Sequence, residues 1–125
     1  MYGLKTRHDD LDDIENALTA VQSAGISIPD PQDIYSYLSA HRDMLRALRI
    51  ASKACAATFG SGTQLSLELY RDPEIDDEYV TIYARQQPYE DNILDLVDAV
   101  SEEVSPELKD ITGWLHITTD FKPSR

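Results

Sequence analysis

The stretch LSLELYRDPEIDDEYVTIYAR, residues 65–85, contains two runs in which apolar and polar side chains alternate. Alternation with a period of two is typical of a β-strand that has one buried face. Asp72-Pro73 lies between the runs, and proline suits the first central position of a turn. The stretch therefore predicts a β-hairpin with strands at residues 64–71 and 78–86. The acidic loop at its tip consists of Asp72, Glu74, Asp76, Asp77 and Glu78.

Helical periodicity accounts for most of the remaining chain. Apolar side chains at helical spacing predict three helices ahead of the hairpin, at residues 9–24, from residue 31, and at residues 43–58. A fourth helix is predicted to begin at Pro88, and alternation at residues 113–121 predicts a third strand. The sequence thus indicates an α+β fold in a single domain, residues 1–125. It has a helical lead-in at residues 1–60 and a β-β-α-β unit at residues 63–122.

The three predicted strands are expected to form one mixed sheet. A connection that runs through a helix leaves the strands on either side of it parallel, here residues 78–86 and 113–121. The first hairpin strand can then lie between them, antiparallel to both. This arrangement gives a three-stranded sheet with the order 2-1-3 and places the leucine-rich strand at its centre.

Strand geometry assigns each residue of the predicted sheet to one of two faces. The core face carries Leu65, Leu67, Leu69, Val80, Ile82, Ala84, Leu115, Ile117, Thr119 and Phe121. The opposite face is rich in aromatic side chains and includes an arginine, residue types that are enriched at protein interfaces. Its candidate interaction residues are Glu68, Tyr70, Tyr79, Tyr83, Arg85, Trp114, His116 and Asp120. Three alternatives stay open for this face: a partner or dimer surface, burial under helices or a second subunit, and a small-ligand site.

Charge is the unusual feature of the composition. The chain has 23 acidic and 11 basic side chains and a formal net charge of −12, and most of this excess lies after residue 62. Such a field repels nucleic acid and anionic membranes and attracts basic proteins. We therefore expect a basic protein partner or a homodimer, and no binding to nucleic acid or membrane. The charge could also serve solubility alone.

The sequence lacks the patterns that catalysis and metal binding require. Asp72, Glu74 and Asp76 match the first ligand positions of a calcium-binding loop. Asp77 replaces the glycine that such a loop needs, and Tyr83 replaces its closing glutamate. No HExxH motif and no second histidine at ligand spacing is present, and no nucleophile elbow or oxyanion hole is recognisable. We assign no catalytic residue, no metal ligand and no cofactor, while weak divalent-cation binding by the loop stays open.

Membrane and targeting signals were sought along the whole chain. The first residues contain no apolar segment of the kind found in signal peptides. No apolar run approaches the length that spans a bilayer. These features predict a soluble, cytoplasmic protein.

Two segments, LSLELYRDPEIDDEYVTIYAR and GWLHITTDFKP, resemble a group of small acidic bacterial proteins known as conserved hypotheticals. In that group a hairpin of the pattern LxLxxYxDPEIxDEYLxLYxR precedes an acidic helix and a GWxxxTTDFxP ending. The resemblance covers residues 65–123. It implies that Asp72-Pro73-Glu74, Arg85 and Thr118-Thr119-Asp120 are family features, and it implies no known activity.

Three functional hypotheses follow from these observations. The leading one is a non-enzymatic acidic interaction module, inhibitor-like or antidote-like, that binds a basic partner. The second is a small-ligand binder or small enzyme that uses the aromatic sheet face around Tyr83, Arg85, Trp114 and His116. The third is a structural protein that forms a homodimer through these faces.

Overall fold

The computed structural model describes residues 2–74 and 77–123, with side chains from residue 13 onward. Within these residues the chain forms four α-helices and one four-stranded mixed sheet, which confirms the α+β class. The elements are α1 (Tyr2–Ser23), β1 (Ile26–Ser27), α2 (Pro31–Ala40), α3 (Leu45–Thr58), β2 (Thr63–Asp72), β3 (Asp77–Gln86), α4 (Ile93–Val104) and β4 (Leu115–Thr118). Short 3₁₀ turns, Arg42–Met44 and Ser105–Leu108, precede α3 and follow α4.

The helices differ from the predicted ones mainly where they begin. α1 begins at Tyr2, ahead of the predicted residue 9. The prediction missed this first part because its residues lack the apolar stripe by which a helix is recognised in sequence. It ends before Gly25, whose φ of 91° is a backbone conformation that glycine adopts readily. α4 does not begin at Pro88 as predicted. It begins at Ile93, and the acidic residues after the proline form a turn.

The predicted hairpin is present, but the predicted strand order 2-1-3 is wrong. β2 and β3 pair antiparallel with Leu67 opposite Ile82, and β4 is parallel to β3 as expected. β4 lies beside β3, however, and the sheet has the order β1-β2-β3-β4. The other edge of β2 is occupied by β1, which pairs parallel to it with Ile26 opposite Leu65. Since both orders leave β3 and β4 parallel, the crossover argument alone could not separate them.

The apolar face of the sheet and the helices share one hydrophobic core. Leu67, Val80 and Ile82 are fully buried in the sheet, and Leu38 and Leu48 are fully buried in α2 and α3. Burial of a side chain of this size contributes about 1.5–3 kcal/mol. The core therefore fixes which sheet face the helices cover, and the polar face points away from them.

One residue of the predicted core face lies outside the core. Strand β4 ends at Thr118, and Phe121 has a positive φ of 56°. Its side chain is 56% exposed, so the prediction that Phe121 packs in the core is wrong. Thr119 remains buried, and the chain leaves the strand direction immediately after it.

The α-helices in the described part of the chain are 10 to 22 residues long. None of its helices combines the length and the apolar character needed to cross a bilayer.

Candidate functional site

The predicted interaction residues lie on the polar face of the sheet and separate into two groups. Glu68, Tyr83, Arg85 and Asp120 form a charged end, near the last residues of β3 and β4. The aromatic end consists of Tyr70, Tyr79, Trp114 and His116, and lies near the first residues of the same two strands. The structure therefore brings each group together but does not merge them into one cluster.

Arg85 organises the charged end, and its side chain is only 3% exposed. Its Nη1 atom donates to Glu68 Oε2 at 2.9 Å, and its Nη2 atom donates to Asp120 Oδ2 at 2.7 Å. Nε donates to the same aspartate at 3.1 Å, which makes the Asp120 contact bidentate. The guanidinium carbon lies 4.7 Å from the ring centroid of Tyr83, within the range of a cation–π contact. Strands β2 and β3 and the segment after β4 are thereby joined by one cation.

The charges of this network stabilise one another. The hydrogen bonds from Arg85 lower the pKa of Asp120 to about 2, against the opposing effect of its partial burial. The hydrogen bonds that Asp120 accepts in turn raise the pKa of Arg85. Ser66 donates to Glu68 Oε2 at 2.8 Å and so completes the set. The charged end is internally paired, and its first role is to hold the sheet and the C-terminal segment together.

Asp120 also holds the chain that follows β4. Its Oδ1 atom accepts the backbone N–H of Lys122 at 3.0 Å. The hydroxyl of Thr119 bonds to Tyr89 Oη at 3.2 Å, and the ring of Tyr89 lies 5.3 Å from that of Phe121. These contacts turn the chain away from the sheet, which explains why the predicted strand at residues 113–121 is shorter than expected.

The aromatic end presents stacked rings on the outside of the sheet. Tyr70 and Tyr79 are directly opposite in the β2–β3 register, with ring centroids 5.0 Å apart. The His116 ring packs edge-on against Tyr79 at 6.0 Å. Tyr70 is 39% exposed and Trp114 is 52% exposed. Aromatic side chains are enriched in protein interfaces, and these two are exposed. This end therefore has the composition of a contact surface.

The acidic loop adjoins the aromatic end. Asp72 and Asp77 form the last pair of the β2–β3 register, two positions beyond the Tyr70–Tyr79 pair. Burial raises the pKa of Tyr79, and the nearby Tyr70 and Asp77 raise it further. The negative charge of Asp77 thus acts on the Tyr79 ring.

Within the loop, some of the acidic residues have local partners. The carboxylate of Asp72 accepts the backbone N–H of Glu74 at 2.9 Å, and Glu78 pairs with Arg71 at 3.0 Å. Asp76 lies outside the described residues. In the part of the chain that is described, no group of three or more His, Cys, Asp or Glu side chains is placed to hold a metal ion.

Thr81 lies between the two ends of the polar face, opposite Glu68 on β2 and His116 on β4. Its side chain is 1% exposed. Among the described residues its Oγ1 atom has no hydrogen-bond partner. A buried hydroxyl without a partner costs about 1–3 kcal/mol. The Thr81 hydroxyl therefore lowers the stability of the folded protein.

A cavity of about 210 Å³ lies at the outer edge of the sheet, not on the polar face. Its walls include Val104 and Leu108 from the end of α4 and the turn after it, Trp114 from the position just before β4, and Ile117 from β4. Ser101 of α4 and Ser105 of the turn after it also line the cavity. We refer to this space as the edge groove. It meets the aromatic end at Trp114 and His116, which belong to both.

Sequence patterns gave no sign of a further polar cluster, formed by His41, Asp43 and Thr112. The Thr112 hydroxyl donates to Asp43 Oδ1 at 3.0 Å, and its backbone N–H donates to Oδ2 at 2.8 Å. His41 Nδ1 lies 3.0 Å from the same hydroxyl. Thr112 lies 71 and 69 positions from His41 and Asp43, so no local spacing could have identified the cluster. In a catalytic triad the histidine lies between the acid and the hydroxyl, whereas here the hydroxyl lies between them. The cluster fastens the loop before β4 to the 3₁₀ turn that precedes α3.

The chain was compared with family models, with curated proteins and with solved structures. No match was found in any of the three comparisons. The geometry of the site therefore carries the functional argument by itself.

Replacement of Arg85 by methionine is expected to lower the free energy of unfolding by about 3 kcal/mol, because two carboxylates lose their buried counter-charge. The matched control is Arg71→Met, since Arg71 also pairs with two carboxylates but is 63% exposed. That exposed pair is expected to contribute less than about 1 kcal/mol. Urea denaturation measures both effects, and equal losses would contradict the structural role of Arg85.

Asp120 is expected to give the protein a stability contribution that depends on pH. Because its folded pKa of about 2 lies below the ordinary value of 3.8, the contribution is full above pH 5 and is lost as pH falls toward 2. The stability difference between the wild-type protein and Asp120→Asn should therefore be about 2 kcal/mol at pH 5 and should become smaller as the pH falls toward 2. In an Arg85→Met background the difference should be small and nearly independent of pH. A difference that stays constant in the wild-type background would show that Arg85 does not stabilise the ionised carboxylate.

Replacement of Thr81 by valine is expected to raise the free energy of unfolding by about 1 kcal/mol, since it removes a buried hydroxyl without a partner. Thr119→Val is the matched control. Thr119 is also buried, but its hydroxyl bonds to Tyr89 and accepts the backbone N–H of Phe121 at 3.2 Å. That substitution should lower stability by about 1 kcal/mol. Thermal or urea denaturation would contradict the assignment if both substitutions changed stability in the same direction.

Proposed function

We propose that this protein is a non-enzymatic interaction module, and that its aromatic end and acidic loop bind a basic segment of another protein. The observation that carries the proposal is the Tyr70–Tyr79 ring pair on the same face as the half-exposed Trp114, two positions along the strands from Asp72 and Asp77. Arginine and lysine side chains bind aromatic faces through cation–π contacts and bind carboxylates through charge. A surface that offers both groups together favours a basic partner over a neutral one.

The charge distribution supports the same partner class. The net charge of −12 extends attraction to a basic protein beyond the contact surface and accelerates its association. It also opposes the close approach of a second copy of this chain, which disfavours the homodimer hypothesis. At an ionic strength of 0.1 M this attraction is screened over about 10 Å, so binding should weaken with salt.

The charged end has a supporting part in the proposal. Arg85 is bound to Glu68 and Asp120 and is buried, so it is not exposed to a ligand. This arrangement weakens the alternative in which Arg85 anchors a small anionic ligand. It supports instead a rigid sheet on which the aromatic end is held in one conformation.

We further propose that the module acts in the cytoplasm as an inhibitor or antidote of its partner. Such a role requires only that binding cover a functional surface of the basic protein. It is consistent with the resemblance of residues 65–123 to small acidic bacterial proteins, which implies no activity.

A capture experiment tests the proposed function. The wild-type protein, immobilised and exposed to an extract of its host, should retain a basic protein that moderate salt releases. The double variant Tyr70→Ala/Trp114→Ala should lose it, because both exposed rings are removed. Leu94→Ala is the matched control, since Leu94 on α4 is 52% exposed, as is Trp114. Retention by the double variant, or the absence of any salt-sensitive partner, would contradict the proposal.

A further inference from the structure

The outer edge of β4 has backbone groups that no other strand of the sheet can reach. Val80 donates its backbone N–H to the carbonyl of Trp114 at 3.2 Å, so that carbonyl points toward β3. Backbone groups alternate in direction along a strand, and those of Leu115 and Ile117 therefore point away from β3. The contact from Ser101 Oγ to the Ile117 carbonyl, at 3.5 Å, confirms this direction. At that length it is a weak hydrogen bond that a better donor could replace.

The edge groove runs along these outward-pointing groups. Val104 and Leu108 give it an apolar floor, and the cavity of about 210 Å³ is large enough for one aliphatic side chain. An extended segment that paired with β4 would place alternate side chains over this floor. The groove therefore offers what strand addition requires, namely an edge with no further strand among the described residues and a pocket for a side chain.

The rim of the groove is acidic. On α4 the positions next to Ser101 and Ser105 around the helix carry an exposed row of carboxylates, at the spacing of successive helical turns. The members of this row on α4 are Asp95, Asp98 and Glu102. The sequence of α4 contains no lysine or arginine that could neutralise them. The charge of the rim selects a basic occupant and repels a second copy of this chain.

From the free edge, the apolar floor and the acidic rim, we infer that an extended basic segment of the partner protein adds to the sheet along β4. A side chain of the segment fills the edge groove, and its lysine or arginine residues face Asp98 and Glu102. The inference rests on the proposed function and specifies the form of the partner. Trp114 lies at the junction between the edge groove and the aromatic end, so one partner could contact both surfaces.

A synthetic peptide tests the inference without knowledge of the partner. The probe is acetyl-Lys-Lys-Val-Val-Val-Lys-Lys-amide, titrated into the whole protein at low salt. Trp114 is the only tryptophan in the chain, so its fluorescence reports binding at the groove. We expect saturable binding, and slower hydrogen exchange of the Leu115 and Ile117 amides. A peptide with N-methyl groups on alternate valines should bind about tenfold more weakly, because it loses main-chain hydrogen bonds. A version with glutamate in place of lysine should not bind.

Variants of the protein separate this inference from the proposed function. Ser105→Arg places a large cation at the rim and should abolish peptide binding, whereas Ser105→Ala should preserve it. Leu94→Ala changes an exposed side chain that does not line the groove and should bind the peptide as the wild type does. The inference is overturned if the lysine peptide does not bind, if N-methylation has no effect, or if Ser105→Arg binds normally. Capture of the host partner by Ser105→Arg, but not by Tyr70→Ala/Trp114→Ala, would overturn the inference and leave the proposed function standing.

Discussion

The parallel pairing of β3 with β4 is the constraint on which the arrangement of the surfaces depends. Two parallel neighbours cannot be joined by a tight turn, so the chain crosses one face of the sheet, and α4 makes that crossing. The apolar face is thereby covered, and the polar face is left to the outside. The same crossing places β4 at the end of the sheet, with α4 beside its free edge. The exposed rings and the edge groove are both products of this one connection.

Much of this could be predicted from sequence because side-chain alternation is a local property. The two faces of β2 and β3 were assigned correctly, since Leu67, Val80 and Ile82 are buried and Tyr70 is exposed. Strand β1 was missed because two residues cannot show a period. The order of the strands was also missed, since it depends on which edge of β2 the remote residues Ile26–Ser27 occupy.

The division of the polar face into two ends lay beyond any sequence pattern. All eight predicted residues alternate in the same manner, yet Arg85 is buried by two acids while Trp114 is half exposed. The difference arises from Asp120, which the β3–β4 register brings beside Arg85, since Tyr83 pairs with Thr118 two positions earlier. Contacts of this kind join residues 17 and 35 positions apart in the chain and follow from the completed fold.

One cation shared by two carboxylates also constrains how the protein can change during evolution. Loss of Arg85 alone would leave two acids unpaired, and loss of either acid alone would leave the other to hold the cation. Neutral drift at positions 68, 85 and 120 is therefore coupled, and the three positions should be replaced as a set. If Glu68, Arg85 and Asp120 were all replaced by apolar residues, the segment after β4 would need a different means of attachment to the sheet. These three residues are thus expected to be kept or replaced together, although they lie in three separate parts of the chain.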